Sequence, residues 1–228
     1  MVLVVNIPSI QQSDMAKKKK KEKETTRQAY GITVLKASDK RVRQLKKNFT
    51  PFIHGNKFWN SSWCVMDFLS QQGLPSESRV LEIGCGWGLA GMYCAKNYGA
   101  EVRGMDADSA VFPYLNLHAE VNEVEMETWR CKFEKVKKKD LKGTNLIIGA
   151  DICFWDEMVE PVYKLIKKAM KMGVGQVIIA DPGRPPFHVL SEKVIKKFGG
   201  EVKEWKIDEE VNAEAFLLIA GSLPDTLS

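Results

Sequence analysis

The sequence predicts an α/β fold: a seven-stranded, mostly parallel sheet with helices on both faces and an antiparallel C-terminal edge strand. Three observations carry this. Short apolar runs alternate with longer helical stretches from residue 79 to residue 198, and strand, helix, strand with short connections demands a parallel sheet covered on both sides. Two strand-like runs, 201–207 and 213–220, then follow without a helix between them, so the last must turn back antiparallel. Finally, 228 residues that are 44% hydrophobic suffice for one substantial core.

In chain order, residues 17–26 are too charged to bury, which divides the chain into a disordered basic tail over 1–30 and a folded domain over 31–228. Met15 is an alternative start to Met1. Residues 39–48 can form a short basic helix, and the fold proper is expected from Thr50. A buried helix follows over 60–72, capped by Asn60 or Ser61, carrying Trp63, Val65, Met66, Phe68 and Leu69, and ended by Gly73 and Pro75. Further strands are expected at 79–83, 101–105, 126–130, 145–149 and 176–180, with helices at 89–97, 110–122, 157–172 and 187–198.

Composition excludes several classes. No apolar run approaches the roughly 18 residues of a membrane span, and residues 1–10 lack the basic flank of a signal peptide. Five scattered cysteines (Cys64, Cys85, Cys94, Cys131, Cys153) have no Cys-x-x-Cys spacing, which argues against a disulfide framework and a zinc cluster and favours a reducing, cytoplasmic setting. His54, His118 and His188 lack metal-ligand spacing, the last two reading as surface or packing residues, and no metal is expected. The net charge of +5 is uneven: residues 1–50 hold 13 Lys/Arg against 4 Asp/Glu, and the rest hold 21 against 25. The run Lys17 through Lys21 can be an arm for nucleic acid or an acidic partner, or a nuclear address in a eukaryote. A solvated tail is the preferred reading.

The most informative segment is Val80-Leu81-Glu82-Ile83-Gly84-Cys85-Gly86-Trp87-Gly88, a strand ending in an acid and running into three alternate glycines before a helix. Glycines there remove Cβ atoms from a close backbone approach and permit a tight turn. A dinucleotide fingerprint, Gly-x-Gly-x-x-Gly, would seat a pyrophosphate on the helix N-terminus; here the third glycine comes one residue early. A second acid, Asp106, ends the next strand, with Asp108 close by.

This pattern resembles motif I of the class I S-adenosylmethionine-dependent methyltransferases, a Rossmann-like family, and the likeness runs over most of residues 55–220. Further stretches resemble the seven-β-strand methyltransferases of family 16, which include protein lysine methyltransferases: His54 to Ser62 before the first helix, with its Gly-x-x-x-Trp entry, Asn116 and Asn122 on the second crossover, and Gly149-Ala150-Asp151-Ile152-Cys153-Phe154-Trp155-Asp156 ending the fourth strand. Ala180-Asp181-Pro182-Gly183-Arg184 is similar to members acting on electron-transfer flavoprotein. The family's Asp-x-x-Tyr motif has Phe154 in place of its tyrosine, so a phenol hydroxyl is missing while an aromatic face able to hold a methylammonium remains.

The resemblance implies S-adenosyl-L-methionine held by Trp59, Glu82, Gly84, Cys85, Gly86, Gly88, Asp106 and Asp151, with Asp106 accepting from the ribose hydroxyls. Asp151 and Phe154 are the catalytic candidates. Asp151 either orients the acceptor amine or caps the following turn; Trp59 either packs beside the cofactor or is an ordinary core aromatic; Trp155 either lines the acceptor pocket or is buried. Methyl transfer from a sulfonium needs two reactants held at attack distance in a dry site, and an acceptor lysine must first lose a proton. A negative Asp151 would oppose that loss, so it positions rather than acts as a base. The leading expectation is N-methylation of a lysine in a protein substrate. The rivals are a nicotinamide-like small amine, a nucleic acid, disfavoured because no Asn/Asp-Pro-Pro-Tyr/Phe run follows the fourth strand, and a non-catalytic binding module on the same scaffold.

Overall fold

The computed structural model describes residues 25–52, 54–55, 57–208 and 211–223. The lysine run, most of the expected tail and both candidate start methionines lie outside the described residues. A hairpin of β1 (Thr26–Ala29) and β2 (Ile32–Leu35) leads to α1 (Lys40–Asn48) and α2 (Ser61–Gln72). Then come β3 (Arg79–Ile83), α3 (Leu89–Tyr98), β4 (Glu101–Asp106), α4 (Phe112–Asn122), β5 (Glu127–Arg130) and β6 (Leu146–Ala150). The chain closes with α5 (Asp156–Lys171), β7 (Gln176–Asp181), α6 (Pro185–Phe198), β8 (Glu201–Ile207) and β9 (Ala213–Gly221).

The seven-stranded sheet has the order β5-β4-β3-β6-β7-β9-β8. β3 pairs in parallel with both β4 and β6, and β7 with β6, while β9 runs antiparallel to β7 and β8. The antiparallel C-terminal strand is therefore β9, as two consecutive strands predicted, but it lies one place in from the edge and β8 is outermost. Alternate residues feed opposite layers. Val80, Ile148, Ile178 and Leu217 pack with α2, α3 and α4, whereas Leu81, Ile147, Val177 and Leu218 pack with α5 and α6. The chain runs outward from β3 to β5 and then returns to β6 beside β3, so a switch point opens at the carboxyl ends of these two strands, where open α/β sheets build ligand sites.

Helix α2 carries the expected apolar residues, all buried, but Asn60 makes no side-chain cap bond and instead accepts from Arg27 Nη1 at 3.3 Å. The hairpin corrects the expected start of the fold at Thr50, and β1 already falls within the stretch assigned to the tail. Tyr30 and Gly31 have φ of 51° and 73°, the paired positive values that let two strands turn in two residues. Ile32, Val34 and Leu35 are buried, as is Val42 of α1. The hairpin is stitched to α4: Thr33 N–H donates to Asn122 Oδ1 at 2.7 Å, Asn122 Nδ2 donates back to the Thr33 carbonyl at 2.9 Å, and Leu35 N–H donates to His118 Nε2 at 3.1 Å.

Because His118 Nε2 accepts, its proton sits on Nδ1, which lies 2.8 Å from the Tyr114 carbonyl. Burial pushes the His118 pKa down to about 4. The unfolded chain takes up this proton below about pH 6.5 while the folded one refuses it, so stability is intact above 6.5 and is lost as pH falls toward 4. We expect a loss of about 2 kcal/mol between pH 6.5 and 5, and a flatter profile for His118→Gln, read from denaturant melts at each pH. A profile as steep in the variant as in the parent would refute this assignment.

Candidate functional site

The glycines of the β3–α3 turn do different work. Gly84, Gly86 and Gly88 have φ of 60°, 50° and 73°. A Cβ on Gly84 would come within 2.6 Å of Ile152 Cγ2 and one on Gly88 within 2.7 Å of Leu115 Cδ1, so both are required by packing. At Gly86 a Cβ would meet nothing within 4 Å, so that position faces open space. Cys85 turns away: its thiol is buried at the place a Gly104 side chain would fill, and burial holds its pKa well above the usual range.

Two acids flank this turn. Glu82 is buried and accepts from Gly91 N–H at 3.0 Å, tying β3 to the first turn of α3, and burial raises its pKa to about 8. Asp106 Oδ2 accepts from Gly86 N–H at 3.1 Å and Oδ1 from Asp108 N–H at 2.9 Å; burial raises its pKa too. Asp108 accepts from Phe52 and Ala110 N–H and lines none of the clefts described below, whereas Asp106 lines two of them.

Three clefts meet at the switch point. A narrow one of about 60 Å³ is lined by Glu82, Gly84, Gly86, Asp106 and the segment bearing His54 and Trp59. A second of about 250 Å³ is lined by Asp106, Phe133, Ile152, Trp155 and Met158. A third of about 510 Å³ lies between Trp59 and the start of β9, at Asn212 and Glu214. Asp151 lines all three, Phe154 the first two and Trp59 the first and third. A larger concavity of about 1030 Å³ sits at the opposite end of the sheet, around Arg79 and Glu101 at the starts of β3 and β4. It lies at the amino ends of the strands, away from the switch point, so its size does not decide the matter.

Where the clefts meet, charges and rings interlock. Asp151 has φ of 55° and its backbone N–H donates to the Ala180 carbonyl at 2.8 Å, which pins it beside β7. Its Oδ1 lies 2.9 Å from Arg184 Nη1, and the same Nη1 lies 2.8 Å from Asp181 Oδ2. Asp181 is wholly buried and also accepts from Gly183 and Arg184 N–H. Among the described residues no backbone amide donates to the Asp151 carboxylate, so it is no turn cap. The Arg184 guanidinium carbon stands 4.3 Å from the Phe154 ring centroid. The cation on that aromatic face is thus Arg184 itself rather than a site left open for a methylammonium.

Phe154 also stacks on His54 at 4.4 Å and meets Trp59 edge-on at 5.2 Å. Trp59 is half-buried, and its indole N–H donates to the His54 carbonyl at 3.0 Å, so it is a wall of the clefts and no ordinary core aromatic. Trp155 is 45% exposed and lies 5.3 Å from His54, which places it on the rim of the second cleft rather than in the interior. Trp87 Nε1–H donates to the Gly55 carbonyl at 3.0 Å and its ring stacks on His118 at 4.8 Å, joining the glycine turn to both the 54–59 segment and α4. His188 packs edge-on against Phe187 and Phe216.

Arg184, His54 and Lys57 belong to the site but carried no role in the sequence reading. All three stand in stretches that carry the family resemblance, and His54 was otherwise considered as a metal ligand. Asn116 and Asn122, singled out by resemblance, are elsewhere: Asn122 holds the hairpin and Asn116 lines the concavity at the far end of the sheet.

This strand order, with a glycine turn after β3 and an acid ending β4, is the architecture of the class I methyltransferases. The chain belongs to the lysine methyltransferase family, whose model matches residues 39–196. It is 24% identical over 139 residues to the electron transfer flavoprotein beta subunit lysine methyltransferase of Xenopus laevis, covering 59% of this chain and 56% of that protein. In fold it is similar to a methyltransferase from Pyrococcus furiosus (20% identity, TM-score 0.57, 81% of this chain and 97% of that one). It is also similar to TrmN from Thermus thermophilus (14% identity, TM-score 0.56, 70% and 48%). The chain thus spans about half the length of the Xenopus protein and of TrmN.

Proposed function

We propose that this chain is an S-adenosylmethionine-dependent methyltransferase acting on a lysine side chain of a protein substrate. The observation that carries this reading is the convergence of three clefts on Asp151, two of them sharing Gly84 and Asp106 as one groove for a cofactor and the third opening to solvent for an acceptor. The residues fit the cofactor. Gly86 leaves room for a close backbone approach, Asp106 has acceptor capacity for ribose hydroxyls, and Trp59 and Phe154 wall the groove. Glu82, Gly84, Cys85 and Gly88 hold the turn that shapes it. When bound, the cofactor supplies a methyl group already activated on a sulfonium.

The chain's own residues then bind, orient and keep out water. Asp151 spends Oδ1 on Arg184, and Oδ2 has no partner among the described residues, so it can accept an N–H of the incoming amine and fix its lone pair. Arg184, shared with Asp181, offsets part of the negative charge by which Asp151 would otherwise hold the lysine protonated. Asp181 anchors Arg184 from below. Asp151 is a positioning group in this scheme, and the proton leaves to solvent. All five cysteines are free, which supports a reducing, cytoplasmic setting, and no described helix is long and apolar enough to cross a membrane.

Calorimetric titration with S-adenosylmethionine, followed by transfer of labelled methyl groups into a cell lysate, tests the reading. Binding plus label in discrete protein bands is expected. Label confined to small molecules or to nuclease-sensitive material would overturn the substrate assignment, and no binding would overturn the enzyme. Glu82 offers a further check. Its folded pKa lies above the unfolded value near 4.5, so the folded state holds an extra proton and stability falls as pH rises from 4.5 through 8. Glu82→Gln should escape this loss, its melting temperature gaining on the parent by more than about 4 °C between pH 6 and 9.

A further inference from the structure

We propose that Lys57 is a self-methylation site, its amine being an acceptor that the chain presents to its own methyl-donor groove. The inference rests on the methyltransferase reading above. Lys57 is the one lysine among the described residues that lines both the glycine-turn cleft and the acceptor cleft. Its Nζ lies 3.8 Å from the Trp59 ring centroid, seated on the wall the two clefts share. Among the described residues no carboxylate forms an ion pair with it, so nothing anchors the ammonium elsewhere.

The surroundings suit an acceptor. The Arg184 guanidinium carbon stands 5.9 Å from the same indole, so both cations reach the wall that the two clefts share. The side chain is exposed and sits in irregular backbone before α2, so it can swing without disturbing a helix or strand. Lys57 is also two residues from Trp59, a tether that replaces the encounter of two molecules by an intramolecular step and raises the local concentration of amine accordingly. The ammonium first releases a proton to solvent. The Nζ lone pair then bonds to the sulfonium methyl carbon of S-adenosylmethionine while the carbon–sulfur bond breaks, its electron pair staying on sulfur as the thioether of S-adenosylhomocysteine.

The full-length chain, incubated with methyl-labelled S-adenosylmethionine and no other protein, is digested and its peptides are analysed by mass spectrometry. Methyl groups on Lys57 are expected, with a rate per molecule that does not change when the protein is diluted. Lys57→Arg, which keeps the charge, should lose that label. Label on other lysines but not Lys57, or a rate that falls with dilution, overturns the proposal. So does a chain that binds cofactor and labels lysate proteins yet leaves Lys57 bare, a result under which the methyltransferase reading stands. No transfer to any acceptor would remove both.

Discussion

Gly86→Leu is expected to lower affinity for S-adenosylmethionine at least about 100-fold while leaving the chain folded. A left-handed backbone costs an L-residue about 1–2 kcal/mol, and the φ of 50° at Gly86 imposes that cost. Nothing in the protein lies within 4 Å of the new Cβ, so the side chain projects into the groove instead of the core. Gly84→Ala makes the contrast. Its smaller Cβ would sit 2.6 Å from Ile152 Cγ2 at a φ of 60°, so overpacking adds to strain and about 2–4 kcal/mol of stability should go. Melting curves and calorimetry on both variants separate the two glycines. A Gly86→Leu protein that binds cofactor normally would show that the turn does not approach the ligand.

Arg184→Met is expected to destabilise the chain by about 3 kcal/mol and to slow methyl transfer by more than about 100-fold. Removing the guanidinium leaves Asp151 and Asp181, both buried, side by side without a counter-charge. Two consequences differ in kind. The stability loss reflects uncompensated buried charge, whereas the activity loss reflects an acceptor amine that now faces negative charge and keeps its proton. The rising limb of the pH–rate profile should therefore move to higher pH in Arg184→Met. Arg184→Lys keeps the charge but, on a shorter side chain without the planar guanidinium, loses the Nη1 position that meets both carboxylates, so its limb should stay near the parent's while its rate falls. If the limb stays put in Arg184→Met as well, Arg184 is structural only.

The sheet was legible because β3, β6, β7 and β9 are compact apolar runs between turn residues, and the elements fall within a few residues of their expected bounds. The position of β9 was not. Two consecutive strands imply an antiparallel pair, but which of them reaches β7 depends on burial, and only β9, rich in buried Leu217, Leu218 and Ala220, suits an interior place. The hairpin escaped notice because its strands are four residues long with polar Arg27, Gln28 and Thr33 among them, beside a lysine-rich stretch that dominates any composition window. Its one local signal was Gly31. At the site, Glu82, the glycines and Asp106 stood out because close backbone approach leaves a mark in consecutive residues. Arg184 did not, since its partner Asp151 lies 33 positions away and no periodicity links them.

Trp87 belongs to the glycine turn, yet its ring rests on His118, whose Nε2 holds the β2 backbone. Fixing the turn and docking the hairpin are thus two readings of one equilibrium. Whatever part of a cofactor's binding free energy is coupled through Trp87 and His118 to docking of residues 26–35, an unlatched hairpin must weaken the cofactor by the same factor. The amides of Thr33 and Leu35, which donate to Asn122 and His118 of α4, become a remote gauge of occupancy, exchanging with solvent more slowly when the groove is filled.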